Sequence, residues 1–529
     1  MSDSRIVDRE TLLERRAAIK LAGGLVVGAG LARTGAARDK PVSRALPFEE
    51  YSRHDALGLA ELVRNKAVKP EELLEAAIAR AEAVNGEINA IVIKCYDRAR
   101  DAIKGGLPDG PFKGVPFLVK DLGFSMAGVK STAGSRLFKD VVAGHDDTIV
   151  KRYRQAGLVL LGRTHSPELG IPPVTESVLY GITRNPWSRD RTAGGSSGGT
   201  AAAVAAGVVP MGSASDGGGS IRIPASCCGL FGLKPTRARV PCGPEIFELF
   251  EGLAVMHAVT RSVRDSAALL DATAGPELGD AYWAPSPRRA FLNEVGVPPK
   301  KLRVGVTLEV LPGASVDEAC QRAVQDAADL CESLGHHVEV VTEEFQAHFS
   351  MQELFDAVIT MAKTAIASTV EAAPEMVGHE VRRGDVEPVT WRFIEEGRSY
   401  TGVDVSLART IVHRSSRQMA EFQRRYDVIL TPTLAKRPVR HGELSLDHHA
   451  DFLDRFVAFT PFTGLANWTG QPAMSVPVHW SDDELPVGAQ FLGRFGDEAT
   501  LFRLAAQLEQ AQPWAERRPP VRFPDGRLE

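Results

Sequence analysis

Apolar residues recur at three- and four-residue spacing through Asp55-Ala56-Leu57-Gly58-Leu59-Ala60-Glu61-Leu62-Val63, which predicts an amphipathic helix. Pro70-Glu71-Glu72-Leu73-Leu74 starts a second helix, with proline and acids in its first turn. Ile88 to Ile93 reads as a strand, and a further helix leads to Gly105. Gly114-Val115-Pro116-Phe117-Leu118-Val119-Lys120 is a short apolar strand that ends on a lysine. A helix from Ile149 to Ala156 precedes an apolar strand from Leu158 to Leu161. Residues 200–207, mostly alanine, have high helix propensity, and Val208 to Gly212 reads as a short strand. Leu302–Leu308, Val316–Leu334 and His337–Val341 give strand, helix and strand, the helix stopping at Gly335. Residues 350–425 are mostly helical; a strand at 426–430 and a helix from Glu498 to Gln510 follow. Alternation of this kind predicts an α/β fold.

Residues 240–300 are harder to read. Ile246-Phe247-Glu248-Leu249-Phe250 is apolar, Ser262 is placed to cap a helix, and the Pro/Gly-rich stretch 275–287 carries Tyr282 and Trp283. No internal repeat or low-complexity linker divides the chain, so one catalytic domain is expected over residues 46–525.

The chain of 529 residues is 44% hydrophobic and 24% charged, an ordinary soluble globular composition. A net charge of −5 supplies no basic footprint for nucleic acid. Six cysteines are too few for a disulfide framework, and none shows CxxC spacing. The histidines contain no HExxH; the doublets His336-His337 and His448-His449 sit in polar surroundings and read as solvated loops. Neither a metal nor a cofactor is expected.

The N-terminus changes the picture of location. Arg15-Arg16-Ala17-Ala18-Ile19-Lys20 is a twin-arginine pattern, and the Gly-rich run from Leu21 to Ala32 is too short to span a bilayer. Thr34-Gly35-Ala36 supplies small residues for cleavage. Residues 1–37 are therefore expected to be an export signal, the mature protein periplasmic or secreted and without stable membrane insertion. The alternative is an uncleaved helical extension on a cytoplasmic protein.

The densest chemistry lies between residues 194 and 226. Gly194-Gly195-Ser196-Ser197-Gly198-Gly199-Thr200 and Asp216-Gly217-Gly218-Gly219-Ser220-Ile221-Arg222 place serines in two glycine loops. Successive glycines leave backbone N–H groups free to converge on an anion, as acyl transfer requires. No histidine lies in this stretch, and Lys120 is the candidate base. A lysine is a base only when neutral; lowering its pKa from about 10.4 to about 7 costs roughly 4.6 kcal/mol, a shift that burial can supply. Read singly, Ser196 or Ser197 could cap the Ala-rich helix, and Gly217–Gly219 could be a turn or a phosphate loop. Gly194-x-Ser196-x-Gly198 also fits a nucleophile elbow, but that motif needs a strand directly before the serine, where this chain has Arg189-Asp190-Arg191-Thr192.

Together these elements resemble the amidase signature family, whose members hydrolyse amides with a Ser–cis-Ser–Lys triad. The resemblance extends over nearly the whole chain after about residue 45, and includes Glu176 to Trp187, Gly229 to Thr236, Phe462 to Pro477 and Leu485 to Gly493. It implies a single large α/β/α domain with a central mixed sheet covered by helices. It implies Ser220 as nucleophile, Ser196 as the serine after a cis bond, and Lys120 as terminal base. Gly217, Gly218 and Gly219 would supply oxyanion and substrate contacts, with Asp216 and Arg222 as support. The implied partner is a small linear or cyclic amide, and a homodimer is compatible with it. His257 to Asp265, Gly275 to Asp280 and the run from Gly493 resemble hydrolases of the 6-aminohexanoate-cyclic-dimer type. The alternatives are a glutamine amidotransferase component of the same family, which an export signal argues against, and a non-catalytic binding protein on the same fold.

Overall fold

The computed structural model describes residues 45–520 apart from 312, 448 and 449. The expected export signal, the last residues of the expected catalytic segment and the doublet His448-His449 lie outside the described residues. Strands run at Ile91–Lys94 (β1), Pro116–Lys120 (β2), Val159–Thr164 (β3), Glu176–Ser177 (β4), Gly181–Ile182 (β5), Met211–Asp216 (β6) and Phe231–Lys234 (β7). They continue at Val255–Thr260 (β8), Arg303–Val306 (β9), His337–Val340 (β10), Val428–Pro432 (β11), Ala473–Trp480 (β12) and Pro486–Gly493 (β13).

Eleven of these form one sheet in the order β1-β3-β2-β6-β8-β7-β12-β13-β11-β9-β10, and β4 and β5 make a separate hairpin. The sheet is mixed: β2 runs parallel to β3 and β6, and β6 antiparallel to β8. β9 runs parallel to both β10 and β11, as expected for the strand–helix–strand unit at 302–341. Helices Gly198–Ala205, Arg222–Cys228 and Glu318–Ser333 pack against its strands. This is the α/β domain with a helix-covered central sheet that the alternation predicts. All five residues of β2 are buried, because helices and strands enclose it, so it reads as a continuous apolar run. Among the described residues no helix is long and apolar enough to cross a membrane.

Three elements depart from the sequence expectation, each for a physical reason. The helix from Pro70 continues through Ile88, which buries its side chain on the last turn; the chain turns at Asn89 (φ 49°) and the strand starts at Ile91. The strand expected at 208–212 instead spans Met211–Asp216. Its Gly-Ser-Ala-Ser-Asp run is fully buried with its hydroxyls hydrogen-bonded, so an apolar-run rule misses it. Central strand β8 was not legible either, because buried His257 interrupts it; its Nε2 pairs with Ser266 Oγ at 2.8 Å. The apolar run at 246–250 belongs to loop and turn structure. Ser262 does cap its helix, accepting from the Asp265 N–H at 3.3 Å.

Candidate active site

Lys120 sits at the C-terminal end of β2, fully buried, with its N–H donating to Ser213 Oγ at 2.8 Å. Its Nζ lies 2.7 Å from Ser196 Oγ and 2.9 Å from Ser215 Oγ. Burial lowers the Lys120 pKa to about 7 against the opposing charge of Asp216. The amine is therefore substantially neutral at neutral pH, as a base must be. The strand end is held from behind: Arg163 Nη2 donates to the Lys120 carbonyl at 3.0 Å and pairs with Asp121 at 3.1 Å.

Ser196 is 2% exposed and follows a cis peptide bond from Gly195. The close packing explains the glycine at 195: a Cβ there would lie 2.6 Å from the Val174 backbone. Ser197 stands at the N-cap of helix Gly198–Ala205 but makes no capping bond; its Oγ donates instead to the Ser215 carbonyl at 3.3 Å. The capping reading of these serines thus fails. The elbow reading fails too, because the segment before Ser196 holds only isolated bridges at Arg191 and Thr192.

The second loop leaves β6 at Asp216 and reaches Ser220 just before helix Arg222–Cys228. The first serine loop packs on this helix, since a Cβ on Gly194 would meet the Pro224 backbone at 2.7 Å. Asp216 pins the turn: it accepts from the Gly219 N–H at 2.7 Å and the Ile221 N–H at 3.1 Å. Arg222, also fully buried, donates to Asp216 at 2.8 and 3.0 Å, to Asn467 and Gln490 side chains at 2.6 Å each, and to the Thr463 carbonyl at 2.7 Å. Burial pushes the Asp216 carboxyl up, but Arg222, Lys234 and Asn467 outweigh it and hold the pKa at about 2. Asp216→Asn breaks this buried pair and is expected to cost about 3–5 kcal/mol of stability, measured by urea unfolding.

One detail alters the expected oxyanion site. The Gly219 N–H is taken by Asp216, so Gly219 is not a free donor. It serves the turn through its φ of 129°. The N–H groups of Gly217, Gly218 and Ser220 have no protein acceptor among the described residues. Ser220 is partly exposed and its hydroxyl has no hydrogen-bond partner among the described residues.

Histidine offers no rival base next to Lys120. His165, one residue beyond β3, engages Thr183 through Nδ1 at 2.8 Å and Ser177 through Nε2 at 2.9 Å, and burial holds its pKa near 3. Among the described residues no group of three His, Cys, Asp or Glu side chains could hold a metal ion. Sequence reasoning missed Ser213 and Ser215, whose spacing of two along a strand puts both hydroxyls on one face. It also assigned no role to Thr463, Asn467 and Gln490, although all three lie in stretches it singled out.

Comparison with known proteins agrees with this geometry. The amidase family model matches residues 72–502. The chain is 37% identical over 487 residues to a 6-aminohexanoate-cyclic-dimer hydrolase of Paenarthrobacter ureafaciens, covering 90% of this chain and 98% of that protein. The solved structure of a 6-aminohexanoate cyclic dimer hydrolase complexed with substrate superposes with a TM-score of 0.83 at 36% identity, covering 88% of this chain and 99% of the other. A glutamyl-tRNA(Gln) amidotransferase component from Thermotoga maritima superposes at 0.67 with 28% identity, covering 88% and 95%. A family match across residues 72–502 and similarity along nine-tenths of the chain lead to one conclusion: this protein belongs to the amidase signature family and is an amidase.

Proposed function

We propose that this enzyme hydrolyses a small linear or cyclic amide through an acyl-enzyme on Ser220. The observation that carries the reading is the 2.7 Å contact between fully buried Lys120 Nζ and Ser196 Oγ. Ser220 Oγ attacks the amide carbonyl while its proton passes to Ser196, whose own proton passes to neutral Lys120. The carbonyl oxygen becomes an oxyanion facing the N–H groups of Gly217, Gly218 and Ser220, each such donor being worth about 2.7–4 kcal/mol. The C–N bond then breaks, and the relay returns a proton to the leaving amine. Water attacks the ester by the reverse transfers and releases the carboxylic acid.

The substrate class rests on the relatives. Similarity to cyclic-dimer hydrolases over nine-tenths of the chain favours a cyclic or linear amide of an ω-amino acid. The amidotransferase reading is weaker, since identity to that protein is 28% against 36% for the hydrolase structure.

A fluorophosphonate followed by peptide mapping tests the nucleophile. The adduct is expected on Ser220; an adduct on Ser196 alone would reject the assignment. Turnover is expected to survive exhaustive chelation unchanged. A rate that disappears with chelator and returns with zinc would contradict a mechanism run by side chains alone.

A further inference from the structure

The turn between Leu249 and Ala254 faces two ways. Phe250 lies 3.6 Å from the Cβ position of Gly217 in the nucleophile loop, while Glu248 and Glu251 line a cavity of about 360 Å³. Helix Gly402–Phe422 contributes Arg409 to the cavity, and loops contribute Arg237, Tyr282 and Phe495.

The charged groups here are only loosely paired. Glu248 makes no hydrogen bond or ion pair among the described residues. Arg409 and Glu251 form an exposed ion pair at 3.8 Å without a hydrogen bond, a contact worth little in water. Arg237 gives one nitrogen to the Asn467 and Trp468 carbonyls at 2.7 and 3.0 Å, yet its buried Nε has no partner. Two guanidinium and two carboxylate groups thus meet around one space. A lone anion there would face two carboxylates, and a lone cation two guanidiniums. A molecule carrying both charges satisfies all four. The apolar lining fits the chain between the charges: Tyr282 and Phe495 are 45% and 48% exposed, and Phe247 packs edge-on against Tyr282 at 5.6 Å.

We infer that this cavity binds a small zwitterion, an amino acid whose ammonium and carboxylate are separated by a methylene chain. The carboxylate sits on Arg237 and Arg409, the ammonium on Glu248 and Glu251, and the methylenes on Tyr282 and Phe495. Opening a cyclic amide by hydrolysis places a carboxylate and an ammonium on one chain, so the ligand class is that of the product. This link to turnover rests on the proposed amide hydrolysis; the binding itself does not.

The test is calorimetric titration of the full chain with 6-aminohexanoate, hexanoate and hexylamine. The zwitterion is expected to bind at least tenfold more tightly than either single-charge ligand. Arg409→Ala and Glu248→Gln, both at partly exposed side chains, are each expected to weaken it at least tenfold. Both variants should keep the wild-type melting temperature, so that weaker binding reports the cavity and not the fold. Equal binding of the three ligands, or unaltered affinity in both variants, overturns the inference. A protein that binds the zwitterion selectively but hydrolyses no amide upholds the cavity assignment and removes the hydrolase reading instead.

Discussion

Ser220→Ala is expected to lower kcat by on the order of 10⁵-fold or more, the scale of removing a serine nucleophile elsewhere. No neighbour can replace it. Ser196 is nearly fully buried with its hydroxyl on Lys120, and the Ser197 hydroxyl is bonded to the Ser215 carbonyl. The fold should be untouched, because the Ser220 hydroxyl has no partner among the described residues and Asp216 holds the turn through backbone N–H groups. Residual hydrolysis above the water rate is expected from the remaining oxyanion donors and substrate binding. Single-turnover kinetics beside circular dichroism and a melting curve give the answer. Activity within tenfold of wild type would remove Ser220 from the chemistry.

Lys120→Met is expected to reduce kcat/KM by about 10²–10⁴-fold, the range for loss of a general base. It should also change how stability depends on pH. Burial lowers the folded-state pKa from 10.5 to about 7. Between these values the unfolded chain binds a proton that the folded protein does not, so this lysine makes wild-type stability rise with pH. Below about 7 the full penalty is present; above 10.5 it is gone. The slope approaches about 1.36 kcal/mol per pH unit, so from about pH 7 to 9 wild type should gain about 2 kcal/mol relative to Lys120→Met. Activity of the wild type should rise through the same pKa, as protonated Lys120 cannot accept a proton from Ser196. Parallel stability curves for the two proteins, or a loss of activity below tenfold, would show that another group carries the base function.

Much of this was legible because its causes are local. β2 is enclosed on both faces, so its apolar run stands out and Lys120 marks its end. The glycine loops advertise themselves because close backbone approach excludes side chains, as at Gly195 against Val174. The α/β class follows from alternation, and Asp216 and Arg222 flank Ser220 within six residues. β6 and β8 stayed hidden because their polar side chains and pairing are satisfied by partners distant in sequence: Ser213 and Ser215 by Lys120, and the strand pairing of β8 by β6 and β7.

What the chain order alone determined was the inventory: which residue types could attack, relay and accept a proton, and on which loops they stand. Tertiary structure decided their physical state. Burial lowers the Lys120 pKa to about 7, where a surface lysine would stay a cation, since desolvation depends on what surrounds the amine and not on its neighbours in sequence. Folding also took the Gly219 N–H away from the oxyanion donors by setting Asp216 against it, and it gathered Thr463, Asn467 and Gln490 around Arg222 from more than two hundred residues away. Those pairings join residues distant along the chain, and no periodicity in it encodes them.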